Sequence, residues 1–238
     1  MLDTAIILAG GQGTRLRPAV QHIPKVMIEV RGQPLLSYVI RDFERQGIKR
    51  IVISIGYKAD KIVEHFDKQK HGFPSELIYS IEDKPLGTGG AIKLAARQLR
   101  SQSDILVANG DTIYQFDINE MYRIHKESNA FVTVGLTTVD DIRAFGAVEV
   151  HGNIIKRFTE KPKLSVPTPG IINAGLYIIS ERALHKLPAE EAFSFERDFL
   201  EKVISTEKVC WHKIQGFYTV NNIEQYFDML KKLPQQKQ

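Results

Sequence analysis

The chain has 238 residues, 43% of them apolar and 25% charged, with a formal net charge of +4. Those values exclude a disordered or low-complexity chain, and no run approaches the roughly 18 apolar residues of a membrane span. The weak, dispersed positive charge suits small anionic substrates and makes no case for nucleic acid.

One cysteine, Cys210, cannot form an internal disulfide, so a reducing compartment is expected. Its apolar surroundings place it in the core rather than among reactive thiols. No signal peptide precedes the first strand, and the expected location is cytoplasmic. The length fits a single domain over residues 1–238, with a loose tail at 233–238.

Ala5-Ile6-Ile7-Leu8 reads as a short buried strand. Ala9-Gly10-Gly11-Gln12-Gly13-Thr14-Arg15-Leu16-Arg17 follows, with three glycines in four residues. Glycine lets backbone approach a ligand closely, and successive N–H groups in such a loop form a concave anion site. Arg15 and Arg17 can grip phosphate bidentately. The loop therefore reads as a wrap for a polyphosphate, against the plainer alternative of a glycine-rich turn. It lacks Gly-Lys-Ser/Thr, and Leu16 stands where the dinucleotide fingerprint needs its third glycine.

Strands and helices then alternate. A helix spans Leu35 to Gln46, with Leu36, Val39, Ile40 and Phe43 on one face, and Gly47 ends it. Strands at 51–55, 77–80 and 105–108 are separated by helices at 60–66 and 89–99. That is the grammar of a doubly wound, mostly parallel, Rossmann-like α/β sheet, whose ligands bind beyond the carboxyl ends of the strands. The glycine loop and Asn109-Gly110-Asp111 both fall there. Later come a strand at 131–137, a hairpin at 147–158, strands at 174–179 and 209–214, and helices at 181–186, 195–205 and 223–232. They are expected to form a smaller mixed α+β lobe packed on the first sheet, with a cleft between the two.

Leu8 to Arg17, with Pro24-Lys25 and Gly32-Gln33-Pro34-Leu35, resembles the signature of the sugar-phosphate nucleotidyltransferases. The Gly87-Thr88-Gly89-Gly90-Ala91 form of a second glycine turn is most similar to the mannose and heptose 1-phosphate guanylyltransferase branch. The resemblance implies the nucleotide-diphospho-sugar transferase fold, with a nucleotide half at 1–111 and a sugar-phosphate half at 112–232. It implies a reaction of a nucleoside triphosphate, here GTP, with a sugar 1-phosphate, releasing pyrophosphate. UTP, CTP or dTTP are the alternative donors. A homo-oligomer is allowed.

Carried onto these positions, the resemblance places Leu8, Ala9, Gly10, Gly11, Gly13, Thr14 and Arg15 around the nucleotide. Glu82, Gly87 and Thr88 wall the base, although Thr88 read alone is a helix N-cap. Arg15 and Lys25 stabilise charge during transfer, although a loop lysine is more often simply solvated. Asp111 holds Mg²⁺; by position alone it serves equally well as a turn cap. Asn109, Gly146, Glu160, Lys161 and Asn173 contact the sugar phosphate. Phe193-Ser194-Phe195-Glu196-Arg197-Asp198 belongs to the same branch and reads as structural.

One departure stands out. The family's late second metal aspartate aligns with Thr219. A hydroxyl is a weaker Mg²⁺ ligand, so either one carboxylate suffices, or a neighbour such as Asn221 ligates, or the chain binds nucleotide without transfer. The seven histidines show no metal-ligand spacing.

Overall fold

The computed structural model describes residues 2–11, 13, 23–68, 72–99 and 103–233. Strands β1 (Thr4–Leu8), β4 (Arg50–Ile55), β5 (Glu76–Ile81) and β6 (Ile105–Asn109) run parallel in the order β5-β4-β1-β6. Their side chains alternate between two cores. Ile7, Ile51, Ile53 and Ala108 face one; Ile6, Val52 and Val107 face the other. Helices α1 (Leu35–Arg45) and α2 (Ala59–Lys68) cover the first face through Leu36, Ile40, Phe43, Ile62 and Phe66. Helix α3 (Gly87–Ala96) covers the second through Ile92 and Ala95. Gly47 adopts φ +96°, the left-handed turn that ends α1.

The second half, expected as a mixed α+β lobe packed on the first sheet, continues that sheet. Strands β8 (Val132–Val139), β9 (Gly146–His151), β10 (Ile154–Glu160), β11 (Gly170–Ile179) and β12 (Val209–Lys213) extend the same sheet edge to edge. The nine-stranded order is β5-β4-β1-β6-β11-β8-β12-β10-β9. Strand β11 lies antiparallel to both β6 and β8, while β12 lies parallel to β8. Residues of β11 keep the alternation, with Leu176 and Ile178 in the first core and Tyr177 and Ile179 in the second.

A short hairpin joins β2 (Glu29–Val30) to β3 (Gln33–Pro34), and a separate ribbon pairs β7 (Thr112–Gln115) with β13 (Gly216–Thr219). Helix α4 (Ile118–Glu127) is absent from the sequence reading. Asp117 caps it by accepting from the N–H groups of Asn119 and Glu120. Helices α5 (Glu181–His185), α6 (Glu201–Val203) and α7 (Ile223–Lys232) follow, with a π-helical turn at Phe195–Leu200 before α6. Leu233, expected in the loose tail, is buried beside Met229 and Val30; residues 234–238 lie outside the described ones. No helix among the described residues is long and apolar enough to cross a membrane.

Two glycines of α3 have a packing role. The N–H groups of Gly89 and Gly90 both donate to the Phe193 carbonyl. A Cβ on Gly89 would fall 2.1 Å from the Phe193 ring, and one on Gly90 would fall 2.3 Å from the Glu191 carbonyl oxygen. Gly→Ala inside a helix normally stabilises by about 1 kcal/mol. Gly89→Ala is expected to do the reverse and destabilise by about 1–3 kcal/mol, the scale of overpacking. Chemical denaturation checks this against Gly72→Ala, whose Cβ would meet nothing within 4 Å.

Candidate active site

The carboxyl ends of β1, β4, β5 and β6 open into a cleft of about 680 Å³. Its walls include Leu8 at the end of β1 with Ala9, Gly10 and Gly11 after it, Gly56 and Tyr57 after β4, Glu82 after β5, Gly87 and Thr88 of α3, and Asn109 at the end of β6 with Asp111 beyond it. This is where a doubly wound sheet places ligands. Backbone bonds brace the first loop. The Ala9 N–H donates to the Ser54 carbonyl at 2.7 Å, and the Gly110 N–H donates to the Leu8 carbonyl at 2.9 Å. Gly10 is packed so tightly that a Cβ would fall 2.8 Å from the Glu82 carboxylate.

Lys25 enters from a 3-10 turn over Lys25–Met27, preceded by Pro24 at φ −58°. The Lys25 Nζ donates to Asp111 Oδ2 at 2.5 Å and to Asn221 Oδ1 at 3.1 Å. An ammonium carries three donors, and among the described residues two are used, leaving a third that can meet an acceptor such as a phosphate oxygen. Gly13, at φ +58°, lies against the Lys25 stem, where a Cβ would come within 2.9 Å. Asp111 Oδ1 accepts from the Thr112 hydroxyl at 3.2 Å. Its backbone carbonyl accepts from the Val220 N–H, which draws the end of β13 to the site. Thr219 pairs with Thr112 in that ribbon.

Asn221, weighed from sequence as a metal ligand, has its amide oxygen on Lys25 and its amide nitrogen donating to Thr219 Oγ1 at 3.4 Å. Among the described residues, no group of three or more His, Cys, Asp or Glu is arranged to hold a metal. Asp111 accepts one hydrogen bond on each oxygen and has lone pairs to spare.

Glu82 bridges two parts of the cleft wall. One of its oxygens accepts from the Ser54 hydroxyl at 3.2 Å and the other from the Leu86 N–H at 3.1 Å. Thr88 does not cap its helix; Leu86 holds that position. Nor is the Thr88 hydroxyl open to a base edge. It donates to Glu196 Oε2 at 2.5 Å and accepts from the Phe195 N–H at 2.9 Å. The 193–198 segment, read as structural, thus reaches the cleft wall.

The other candidates fall in two places. Gly146, Glu160, Lys161 and Asn173 do not line the cleft. Gly146 faces Glu160 across the β9–β10 hairpin, and Lys161 Nζ pairs with Glu160 Oε1 at 3.1 Å. Asn173 lies at the start of a bulge in β11 whose Gly175, at φ +72°, abuts the Asn109 amide. Arg15 and Thr14, with Arg17, lie outside the described residues. Gly56-Tyr57 was missed. Its signal was position: it follows the strand at 51–55 as the glycine loop follows the first strand. Cys210 is buried, as expected.

The family model described as Nucleotidyl transferase matches residues 4–235. The chain belongs to the nucleotidyl transferase family. Within that family it is similar to D-glycero-alpha-D-manno-heptose 1-phosphate guanylyltransferase of Aneurinibacillus thermoaerophilus, at 37% identity over 86% of each chain. It is 33% identical to the Campylobacter jejuni protein of the same name, over 83% of this chain and 85% of the relative. Among solved structures, HddC from Yersinia pseudotuberculosis, complexed with GMP-PN, superposes with a TM-score of 0.81 at 33% identity, covering 98% of this chain and 99% of that one. This nucleotidyl transferase thus has the α/β fold expected from its sequence.

Proposed function

We propose that the protein joins GTP to a heptose- or mannose-type sugar 1-phosphate, giving a GDP-sugar and pyrophosphate. The observation that carries this is the meeting of Lys25 and Asp111, 2.5 Å apart, at the rim of a cleft walled by glycine backbone. Guanylyltransferase relatives sharing most of the chain's length support the donor and acceptor classes.

A phosphate oxygen of the acceptor attacks the α-phosphorus, and the bond to the leaving pyrophosphate breaks in line. Charge on the phosphoryl oxygens is spread rather than covalently trapped, so positioning and electrostatics do the work. The Gly10-Gly11 backbone accommodates phosphate closely, and Lys25 offers its remaining donor to the transferring group. The two oxygens of Glu82 still have lone pairs for the N–H donors along one edge of guanine. Asp111 fits Mg²⁺, which accepts one carboxylate with substrate phosphates and water completing its shell. The ion, when bound, neutralises charge on the phosphates. A second reading, nucleotide binding without transfer, rests on Thr219, a hydroxyl rather than a carboxylate, paired across the ribbon with Thr112, the neighbour of Asp111.

Pyrophosphate release over GTP, ATP, UTP, CTP and dTTP, each with mannose, glucose and heptose 1-phosphates, tests both readings. Release is expected to be strongest with GTP and a manno-configured acceptor. Binding of GTP without release in any pair favours the second reading. Glu82→Gln is expected to narrow the preference for GTP over ATP by about tenfold, the scale of one hydrogen bond to a charged group. The ratio of kcat/KM values measures it.

A further inference from the structure

We propose that Glu196 is a positioning residue for the sugar side of the site: it ends a one-way chain of hydrogen bonds that fixes which way the Asn173 amide faces. The inference rests on the proposed contact of Asn173 with the sugar phosphate.

The direction of the chain follows from its first donor. The Gly175 N–H can only donate, and it donates to Asn173 Oδ1 at 2.9 Å. The Asn173 Nδ2 is therefore on the other side, where it donates to the Tyr177 hydroxyl oxygen at 2.6 Å. That hydroxyl, having accepted, donates onward to Glu196 Oε1 at 3.1 Å. Tyr177 is fully buried, and its burial, with the Glu196 charge beside it, holds the phenol protonated. The other carboxylate oxygen accepts from the Thr88 and Ser194 hydroxyls. A carboxylate accepts only, so every donor around Glu196 is matched.

A glutamine cannot reproduce this. Facing Thr88 and Ser194, its amide nitrogen would oppose two protons held inward by hydroxyls that already accept from the Phe195 and Arg197 N–H groups; facing Tyr177 it opposes only one, so it turns there. Turned toward Tyr177, it leaves the phenol proton without an acceptor. Asn173 could take that proton only by reversing its amide, which then abandons the Gly175 N–H. Buried donors without partners are costly, so the bulge of β11 must shift. Tyr177→Phe breaks the same chain one link earlier and does not touch Thr88.

The test measures initial rates with GTP against mannose 1-phosphate and D-glycero-D-manno-heptose 1-phosphate for wild type, Glu196→Gln, Tyr177→Phe and the double variant. Each single change is expected to raise the acceptor KM about tenfold, the scale of one stranded buried donor. The GTP KM of Tyr177→Phe stays within about twofold, and the double variant is no worse than about twice either single. Unchanged acceptor KM in folded, active variants overturns the inference, even where the melting temperature falls. So does a rise of both KM values together in Tyr177→Phe, or a double variant showing the product of the single effects. A wild type inactive with every pair overturns the functional reading and this inference with it; an active wild type with unaffected variants overturns this inference alone.

Discussion

Asp111→Ala is expected to lower turnover by about 10³-fold or more, the combined scale of a lost metal ligand and a lost preorganised charge. The residue sits on the tight bend between β6 and β7, and its carboxylate holds Lys25 on one oxygen and the Thr112 hydroxyl on the other. Alanine removes the carboxylate proposed to hold the metal and leaves the largely buried Lys25 ammonium with Asn221 as its side-chain acceptor among the described residues. Asp111→Asn is the sharper variant. It keeps the shape and a carbonyl for Lys25 while removing the charge, so a comparable loss assigns the effect to charge. Pyrophosphate release gives the rate, and thermal melting shows whether the fold survives. Turnover within about tenfold of wild type in both variants would remove Asp111 from the chemistry, a loss far below that of one preorganised contact.

Lys25→Ala is expected to lower kcat/KM by about 10²-fold or more. Lys25 is only 12% exposed along its side chain, and Pro24 fixes the backbone that delivers it. Lys25→Arg is not expected to restore the rate. The guanidinium is planar and longer, and it cannot occupy the point between Asp111 and Asn221 that the compact ammonium fills. Single-turnover rates at saturating substrate separate the two contributions. A fall in kcat indicates that Lys25 acts in the transition state, while a rise in KM alone indicates ground-state binding.

Local features of the fold were readable from the chain. The 3.6-residue spacing of Leu36, Val39, Ile40 and Phe43 marked α1, and the glycine at 47 marked its end. Helix α4 was equally readable, since Asp117 with Glu120 three residues on is an N-terminal capping pattern. Its apolar face is short, with only Ile118, Met121 and His125 buried, so periodicity alone does not mark it. The joining of both halves into one sheet was not readable. Nothing in Ala174–Ile179 says that the strand will slot between β6 and β8, because pairing across so much chain is decided by the whole core.

The same holds for the site. Asp111 and Lys25 are 86 residues apart, and Asn221 and Lys25 are 196 apart. Likeness to a family put Asp111, Lys25 and Asn221 at one site, but nothing in the sequence bonded Lys25 to either of the others. The Thr88 hydroxyl illustrates the limit: its residue type suited base recognition, but its free proton belongs to a carboxylate 108 positions away.

The late arrival of one strand bears on how the protein is made. During translation β6 is complete at Asn109, yet its outer neighbour begins only at Gly170. Until then the nascent chain carries the glycine loop and Asp111 beside a strand edge whose N–H and C=O groups have no partner, a template for association with other chains. A product terminated between those points would hold much of the cleft and is expected to aggregate. Residues 1–111 are thus not expected to stand as a separable module until β11 has left the ribosome.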